Sequence, residues 1–433
     1  MPLELREKCL QELRASLVEQ LGQAQIHNGN FISLLSLAGL QSTEDILPKS
    51  GPVHERIKST LGDSPFVEFV YSTLSRELFE AHEFSSEKGR AALSSLSEYA
   101  DLEALAGRLI ETFQSLPWKY AVTVRMPFDL GPRLSNEGVF EVSEDIRILR
   151  GSGAIKAEYP LVSGIEKRDR EIAGTANLLS IFVENYAAWQ EDASYLQFDV
   201  EGYIGTEGVG DTFDGAVSAM RSFYGLAIAT MLFNPFRWPT GQKTHEKAYV
   251  HRRTGKGWIV EQASELNPQL SDAINALDIH VLHGRLPNGT IDSWIGKTMR
   301  DVSVVFKAGA PAHKIRLAAR WLFDCYSGKD ELLKFVQAAI VIEILLGDKD
   351  TAETTGLSNL LANRCAYLIA ASHTERTNLI ADFKRIYDVR SNIVHQGKTK
   401  LSHDEKEMFN KLLLIAHRVI RSEMQLLVKD QGF

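Results

Sequence analysis

The run Ala338-Ala339-Ile340-Val341-Ile342-Glu343-Ile344-Leu345-Leu346 is the longest apolar stretch of the chain, and a single carboxylate interrupts it. It belongs to a segment, 330–346, that follows helical steps with apolar residues on every side and ends at Gly347. A helix greasy all round belongs inside other structure. The run is far too short to span a membrane, so the covering structure must come from the protein itself. Helical patterns at 312–326, 357–369, 378 to about 393, and 403–428 supply it. Their connections are short, as between antiparallel neighbours of a bundle.

A buried carboxylate is costly unless paired, and Arg390 or Arg364 is the partner expected for Glu343. On the helix expected from 378 to about 393, Phe383, Ile386, Tyr387 and Arg390 share one face, so Arg390 lies on or beside a packed stripe. His395 follows five residues later, in Arg390-Ser391-Asn392-Ile393-Val394-His395-Gln396-Gly397. Arg clamps phosphate through paired hydrogen bonds, and His moves protons near neutral pH. Together they suffice for phosphodiester cleavage in RNA, where the 2′-hydroxyl is the nucleophile and no metal is strictly needed. Spacing alone also fits a solvated Arg and a His at a helix C-terminus, where cations suit the macrodipole. On an ideal helix the two side chains point about 140° apart. They converge on one phosphate only if the helix end unwinds toward Gly397 or a second copy completes the site, which hints at a dimer.

Composition narrows the partners. The net charge of −8 argues against a general nucleic-acid binder. Locally the sign reverses: Arg376, Lys384, Arg385, Arg390, Lys398 and Lys400 outnumber Glu375, Asp382 and Asp388. A positive site on an acidic protein favours a selective encounter with RNA. A second basic stretch holds Arg237, Lys243, Lys247, Arg252, Arg253 and Lys256, with Phe236, Trp238, Tyr249 and Trp258 among or beside them. It reads as a solvated loop and hairpin, or as a track for a single strand with stacked bases. Cys9, Cys325 and Cys365 are unclustered, which fits a reducing compartment and neither a disulfide scaffold nor a zinc ribbon. The first residues are charged with no apolar core of a signal peptide, so a cytoplasmic location is expected.

At 433 residues, two to four domains are expected. Residues 1–117 read as helical, with Leu10, Leu13, Leu17 and Leu21 on one face and further helices at 67–80, 87–99 and 102–116. From 118 to about 305 the pattern is mixed α/β. Strands are expected at 120–124 and 195–200, weaker ones at 146–149 and 248–251, and helices near 168–189 and 213–233. Residues 306–433 form the all-α region, giving an α+β chain. Gly202, Gly205, Gly208 and Gly210 lie among acidic residues and read as a turn, not a phosphate loop. His280 and His283 lack further metal ligands nearby.

The C-terminal region, about 310–430, resembles a HEPN domain of the Apea-like group. The resemblance rests on Ala319-Arg320-Trp321-Leu322, Ile342-Glu343-Ile344-Leu345-Leu346-Gly347, Asn363-Arg364-Cys365-Ala366, and Ile386 to His395 with its Arg-x4-6-His signature. Gln396 stands where a Gly directly after the His is common. The resemblance implies a metal-independent endoribonuclease that works as a homodimer, without a cofactor, in toxin or abortive antiphage defence. Arg390 would bind the scissile phosphate, His395 would be the general acid/base, Asn392 a polar helper, and Glu343 an orienting group. Arg385, Lys398, Arg237, Arg252 and Arg253 are the expected RNA contacts. A phage or host trigger would act through the remaining residues, and no membrane partner is expected. The alternative is a non-catalytic nucleotide-binding or dimerisation module.

Overall fold

Leucines at three- and four-residue steps dictate the first helix. The structure, a computed structural model, describes residues 3–61, 66–127, 130, 138–161, 189–205, 210–235, 246–279, 288–348 and 356–430. In it α1 (Glu7–Gln23) buries Leu13, Leu17 and Leu21 completely, and full burial of such a side chain stabilises by roughly 1.5–3 kcal/mol. Helices α2 (Gln41–Glu44), α3 (Pro52–Leu61), α4 (Phe66–Ala81) and α5 (Leu102–Gln114) complete the N-terminal unit. Its core includes Phe66, Phe69 and Phe113. Phe113 meets the other two rings edge-on, at 4.8 and 5.2 Å between centres, an arrangement their quadrupoles favour.

The helix expected at 87–99 is absent. Strand β3 (Arg90–Ala92) pairs instead with β1 (Gln25–His27), which also pairs with β2 (Phe31–Ile32), in an antiparallel sheet of order β2-β1-β3. Tight 3-10 turns cover Leu93–Ser95 and Ser97–Tyr99. Gly89 takes a left-handed φ of +55°, and the serines that follow favour turns over helix interiors.

The central region is built on a six-stranded antiparallel sheet. Its strands are β4 (Trp118–Arg125), β5 (Val139–Ser143), β6 (Ile146–Arg150), β7 (Ser194–Gly202), β9 (Lys247–Thr254) and β10 (Gly257–Glu265), in the order β10-β9-β4-β7-β6-β5. The four expected strands fall within β4, β6, β7 and β9. Alternation of side chains sets two faces. Tyr120, Val122, Ile148, Leu196, Phe198 and Val250 enter the main core. Ala121, Leu149, Tyr195 and Tyr249 form a second cluster with Ile155 of α6 (Gly153–Glu158) and Trp189. The helix expected near 168–189 lies, up to 188, outside the described residues. Helix α7 (Asp211–Ala229) stops before the expected 233, because Phe233 enters β8 (Phe233–Asn234), which pairs with β11 (Asp278–Ile279).

The remaining helices are α8 (Pro268–Asn275), α9 (Asn288–Lys307), α10 (His313–Ser327), α11 (Glu331–Leu346), α12 (Leu357–Ile369), α13 (His373–His395) and α14 (His403–Asp430). The boundary expected at 305/306 falls inside α9, and one apolar core continues from the sheet through α7, α9 and α10 into α11–α14. That continuity depends on Gly225 of α7. A Cβ there would lie 1.8 Å from the carbonyl oxygen of Ala319 in α10, so the two helices meet backbone to backbone. Among the described residues no helix is long and apolar enough to cross a membrane.

Gly225→Ala therefore forces α7 and α10 apart. Urea denaturation should show a loss of about 3 kcal/mol, the upper range for overpacking; a variant of wild-type stability would mean that the helices do not approach this closely.

Candidate functional site at the Glu343–Arg390 pair

Asp330 starts α11 as its N-cap, its carboxylate accepting from the backbone N–H groups of Leu332 at 2.8 Å and Leu333 at 3.0 Å. At the other end the Gly347 N–H donates to the Glu343 carbonyl at 2.8 Å, and a Cβ on Gly347 would lie 2.2 Å from that oxygen. Glycine thus lets the chain turn away directly after the turn that carries Glu343. The helix is less enclosed than its composition suggests. Phe335, Ala338, Ala339, Val341, Ile342 and Leu346 are buried, but Ile340, Ile344 and Leu345 are half-buried and Leu333 is 52% exposed. One apolar strip of α11 is only partly covered by the described parts of the chain.

Glu343 sits beside that strip and meets α13. Its Oε1 lies 3.3 Å from Arg390 Nε and accepts a hydrogen bond from the Tyr387 hydroxyl at 2.9 Å. Of the two arginines considered, Arg390 is the partner. Arg364 donates Nη1 to the Leu346 carbonyl at 2.8 Å, closing the end of α11. The Arg390 guanidinium also lies 5.6 Å over the Tyr387 ring, a favourable cation–π placement. Burial, then the Glu343 carboxylate, push the Tyr387 hydroxyl well above its usual range, so it stays a donor. The Nε contact is an ion pair by distance; this atom is enclosed and makes no well-angled hydrogen bond. The terminal nitrogens of Arg390 make no hydrogen bond or other ion pair among the described residues. Glu343 and Tyr387 hold the inner edge of the guanidinium and leave its outer edge open.

Helix α13 begins at His373, five residues before the expected start. Ser372 caps it by accepting from the Glu375 N–H at 3.2 Å, while Glu375 accepts from the Ala371 N–H at 2.8 Å. A Ser three residues before a Glu is a capping-box signal visible in the sequence. At its far end the helix stays wound through His395, with the Gln396 N–H on the Asn392 carbonyl at 3.1 Å, and Gly397 turns left-handed at φ +65°. Unwinding before His395 is thus excluded as the way to bring Arg390 and His395 together. Arg390 faces α11; His395 is exposed on the last turn, about 140° further round. Asn392 is half-buried and its side chain has no hydrogen-bond partner among the described residues.

The expected RNA contacts divide. Arg385 and Arg253 are exposed, Arg253 lying 5.3 Å over the Trp258 ring. Arg252 is engaged through Nε, which is ion-paired to Glu261, and its guanidinium lies 4.3 Å over the Trp118 ring. Glu261, only 3% exposed, is also paired with Arg76 of α4. Lys398 is likewise held, 3.0 Å from Glu405. In both cases the fold brings a carboxylate up to a cation that looks free in the sequence. Arg237 lies outside the described residues, as do His280 and His283. Among the described residues no three His, Cys, Asp or Glu side chains group as a metal site.

The sequence matches no protein-family model, no curated protein and no solved structure.

Two other histidines are enclosed and differ from His395 in kind. His251 contacts the Pro160 carbonyl through Nε2 at 3.0 Å, and His417 contacts the Tyr326 hydroxyl at 2.8 Å. Burial lowers both from an ordinary 6.5 to about 4, with Arg421 adding to the effect on His417. Between those values the unfolded chain binds more protons than the folded one. Stability is therefore full above the unfolded value and is lost as pH falls through that window, by roughly 1.4 kcal/mol per pH unit for each histidine. Urea midpoints measured at pH 7 and pH 5 should show this decline, and His251→Gln with His417→Gln should flatten it.

Proposed function

We propose that the chain is a metal-independent endoribonuclease of the HEPN type, cytoplasmic and dimeric, acting as a toxin or abortive-infection effector. The observation that carries this reading is the half-satisfied guanidinium of Arg390. Its inner edge is tied to Glu343 beside Tyr387, and its outer edge has no partner among the described residues. A group so held needs little further ordering to clamp a phosphate. His395 stands on a different side of the same unbroken helix, so a complete site takes Arg390 from one copy and His395 from the other. Half-buried Ile340 and Ile344 beside Glu343, with Leu333 52% and Val394 46% exposed, offer apolar surface to that second copy.

In the proposed reaction the RNA 2′-oxygen forms a bond to the adjacent phosphorus as the bond to the 5′-oxygen breaks. His395 takes the 2′-hydroxyl proton or delivers one to the leaving 5′-oxygen. Arg390 neutralises the charge that gathers on the phosphoryl oxygens, with Asn392 as a further polar contact. The products are a 2′,3′-cyclic phosphate and a 5′-hydroxyl. Arg385 and Arg253 remain as candidate backbone contacts. In this scheme 306–433 is the nuclease bundle, while 1–117 and 118–305 sense a trigger or hold it silent. A second reading, a non-catalytic nucleotide-binding or dimerisation module, is favoured by the same cluster, since a Glu–Arg–Tyr contact also stabilises a bundle.

The test is cleavage of total RNA and purified tRNA in EDTA. Wild type should leave cyclic-phosphate ends, and His395→Ala and Arg390→Ala should each lose at least ~100-fold in rate. His395→Ala should keep wild-type stability, whereas Arg390→Ala should lose about 1–2 kcal/mol by leaving Glu343 without its cation. Subunits of the two variants, dissociated and mixed, should recover about a quarter of wild-type activity, because half the dimers then carry one intact site of two. A fully active His395→Ala protein rules the mechanism out. Dimers without cleavage by any of the proteins support the second reading.

A further inference from the structure

The outer face of the small N-terminal sheet is the floor of a cleft of about 700 Å³, unconnected with the Arg390 site. Alternation along the strands sets this floor. Ile26 and Ile32 point into the N-terminal core, while Gln25, His27 and Phe31 point outward. His27 is the direct cross-strand partner of Phe31 on one side and of Arg90 on the other. Gln20 and Gln23, from the end of α1, form one wall, and the 3-10 turn Leu34–Leu40 with its cap Ser33 forms another.

What marks the cleft is a set of polar side chains with nothing to bind. Those of Gln20, Gln23, Gln25, His27, Asn28 and Arg90 make no hydrogen bond or ion pair among the described residues. Each carboxamide offers two donors and an acceptor. An extended peptide presents the matching groups, one N–H and one C=O per residue at about 3.3 Å intervals. Among the described residues lining the cleft there is no carboxylate, and Arg90 is the permanent charge. The rim is apolar: Phe31 is 53% exposed, Leu34 50% and Leu35 86%. Exposed aliphatic groups beside polar ones mark a surface for protein side chains. A nucleic-acid strand would instead require several cations along its phosphates. A sugar ring would require an open aromatic face, whereas Phe31 meets His27 edge-on at 61°.

We propose that this cleft binds an extended, acidic peptide segment of a partner protein. The glutamines and Asn28 hydrogen-bond its backbone, Arg90 takes its carboxylate, and the rim at Leu34 and Leu35 packs against its apolar side chains. The proposal is independent of ribonuclease activity and is tested without it.

The full chain and its Arg90→Glu variant are panned in parallel against a randomised short-peptide display library. Enriched sequences are then synthesised with blocked ends and titrated by fluorescence anisotropy. Wild type should enrich peptides that combine Asp or Glu with apolar residues. Arg90→Glu should weaken these at least ~tenfold, as loss of a charge-assisted contact does, and should enrich Lys- or Arg-bearing peptides instead. Arg90 is exposed on an edge strand, so circular dichroism should be unchanged, and Gln25→Ala should weaken binding without changing charge preference. No enrichment over bare support, or enrichment indifferent to the charge reversal, overturns the proposal. So does binding of oligouridine or cellohexaose that Arg90→Glu abolishes while no peptide binds.

Discussion

The contact between α7 and α10 at Gly225 is the joint on which the remaining architecture depends. Helix α7 packs on the central sheet at β7, its Tyr224 stacks on Phe323 of α10 at 5.9 Å between ring centres, and α10 belongs to the C-terminal helices. Only a residue without a side chain lets the two backbones approach so closely. Polar clasps flank the contact: Arg320 donates to Ser218 at 2.9 Å, and Arg221 lies 3.6 Å from Asp324. Helix α10 in turn packs on α11, and α11 presents Glu343 to Arg390. The position of the candidate site is thus transmitted from the sheet through two close helix pairs.

Two carboxylates show how similar pairing leads to different chemistry. Glu261 is almost fully buried and takes Arg252 from its own sheet and Arg76 from α4, so it holds the N-terminal unit on the sheet. Glu343 is 21% exposed and takes one arginine and one phenol. The phenol carries no charge, so the carboxylate orients Arg390 while the outer edge of the guanidinium keeps its hydrogen-bonding capacity. Glu261 ties two parts of the fold together, whereas Glu343 joins two helices of the bundle at a guanidinium whose terminal donors can also recognise an anion.

Much of the architecture was legible because its signals are periodic. Helix α12 coincides with its apolar pattern, α4 and α5 lie within a residue or two of theirs, and the four expected strands appear within longer ones. The misses have local causes. Strands β1 to β3 are two or three residues long, too short to show an alternation. The first turn of α13 lacks an apolar stripe, and its start was announced only by Ser372 and Glu375. At the site, Arg390, His395 and Glu343 stood out by residue type. The pairing of Arg252 and Lys398 with carboxylates did not, because ion pairing is a matter of distance in space.

By itself the sequence determined most of the longer helices and four strands of the central sheet, because these follow from spacing along a single segment. Tertiary structure decided that Glu343 pairs with Arg390 and not Arg364, that Glu261 occupies Arg252, and that sheet and bundle share one core. Glu343 and Tyr387 are 44 residues apart in the chain, and no periodicity within either helix records how far apart they lie once folded. Backbone geometry after Ile393 was also a tertiary outcome, since Gly397 permits a turn there but does not say whether the helix ends before or after His395.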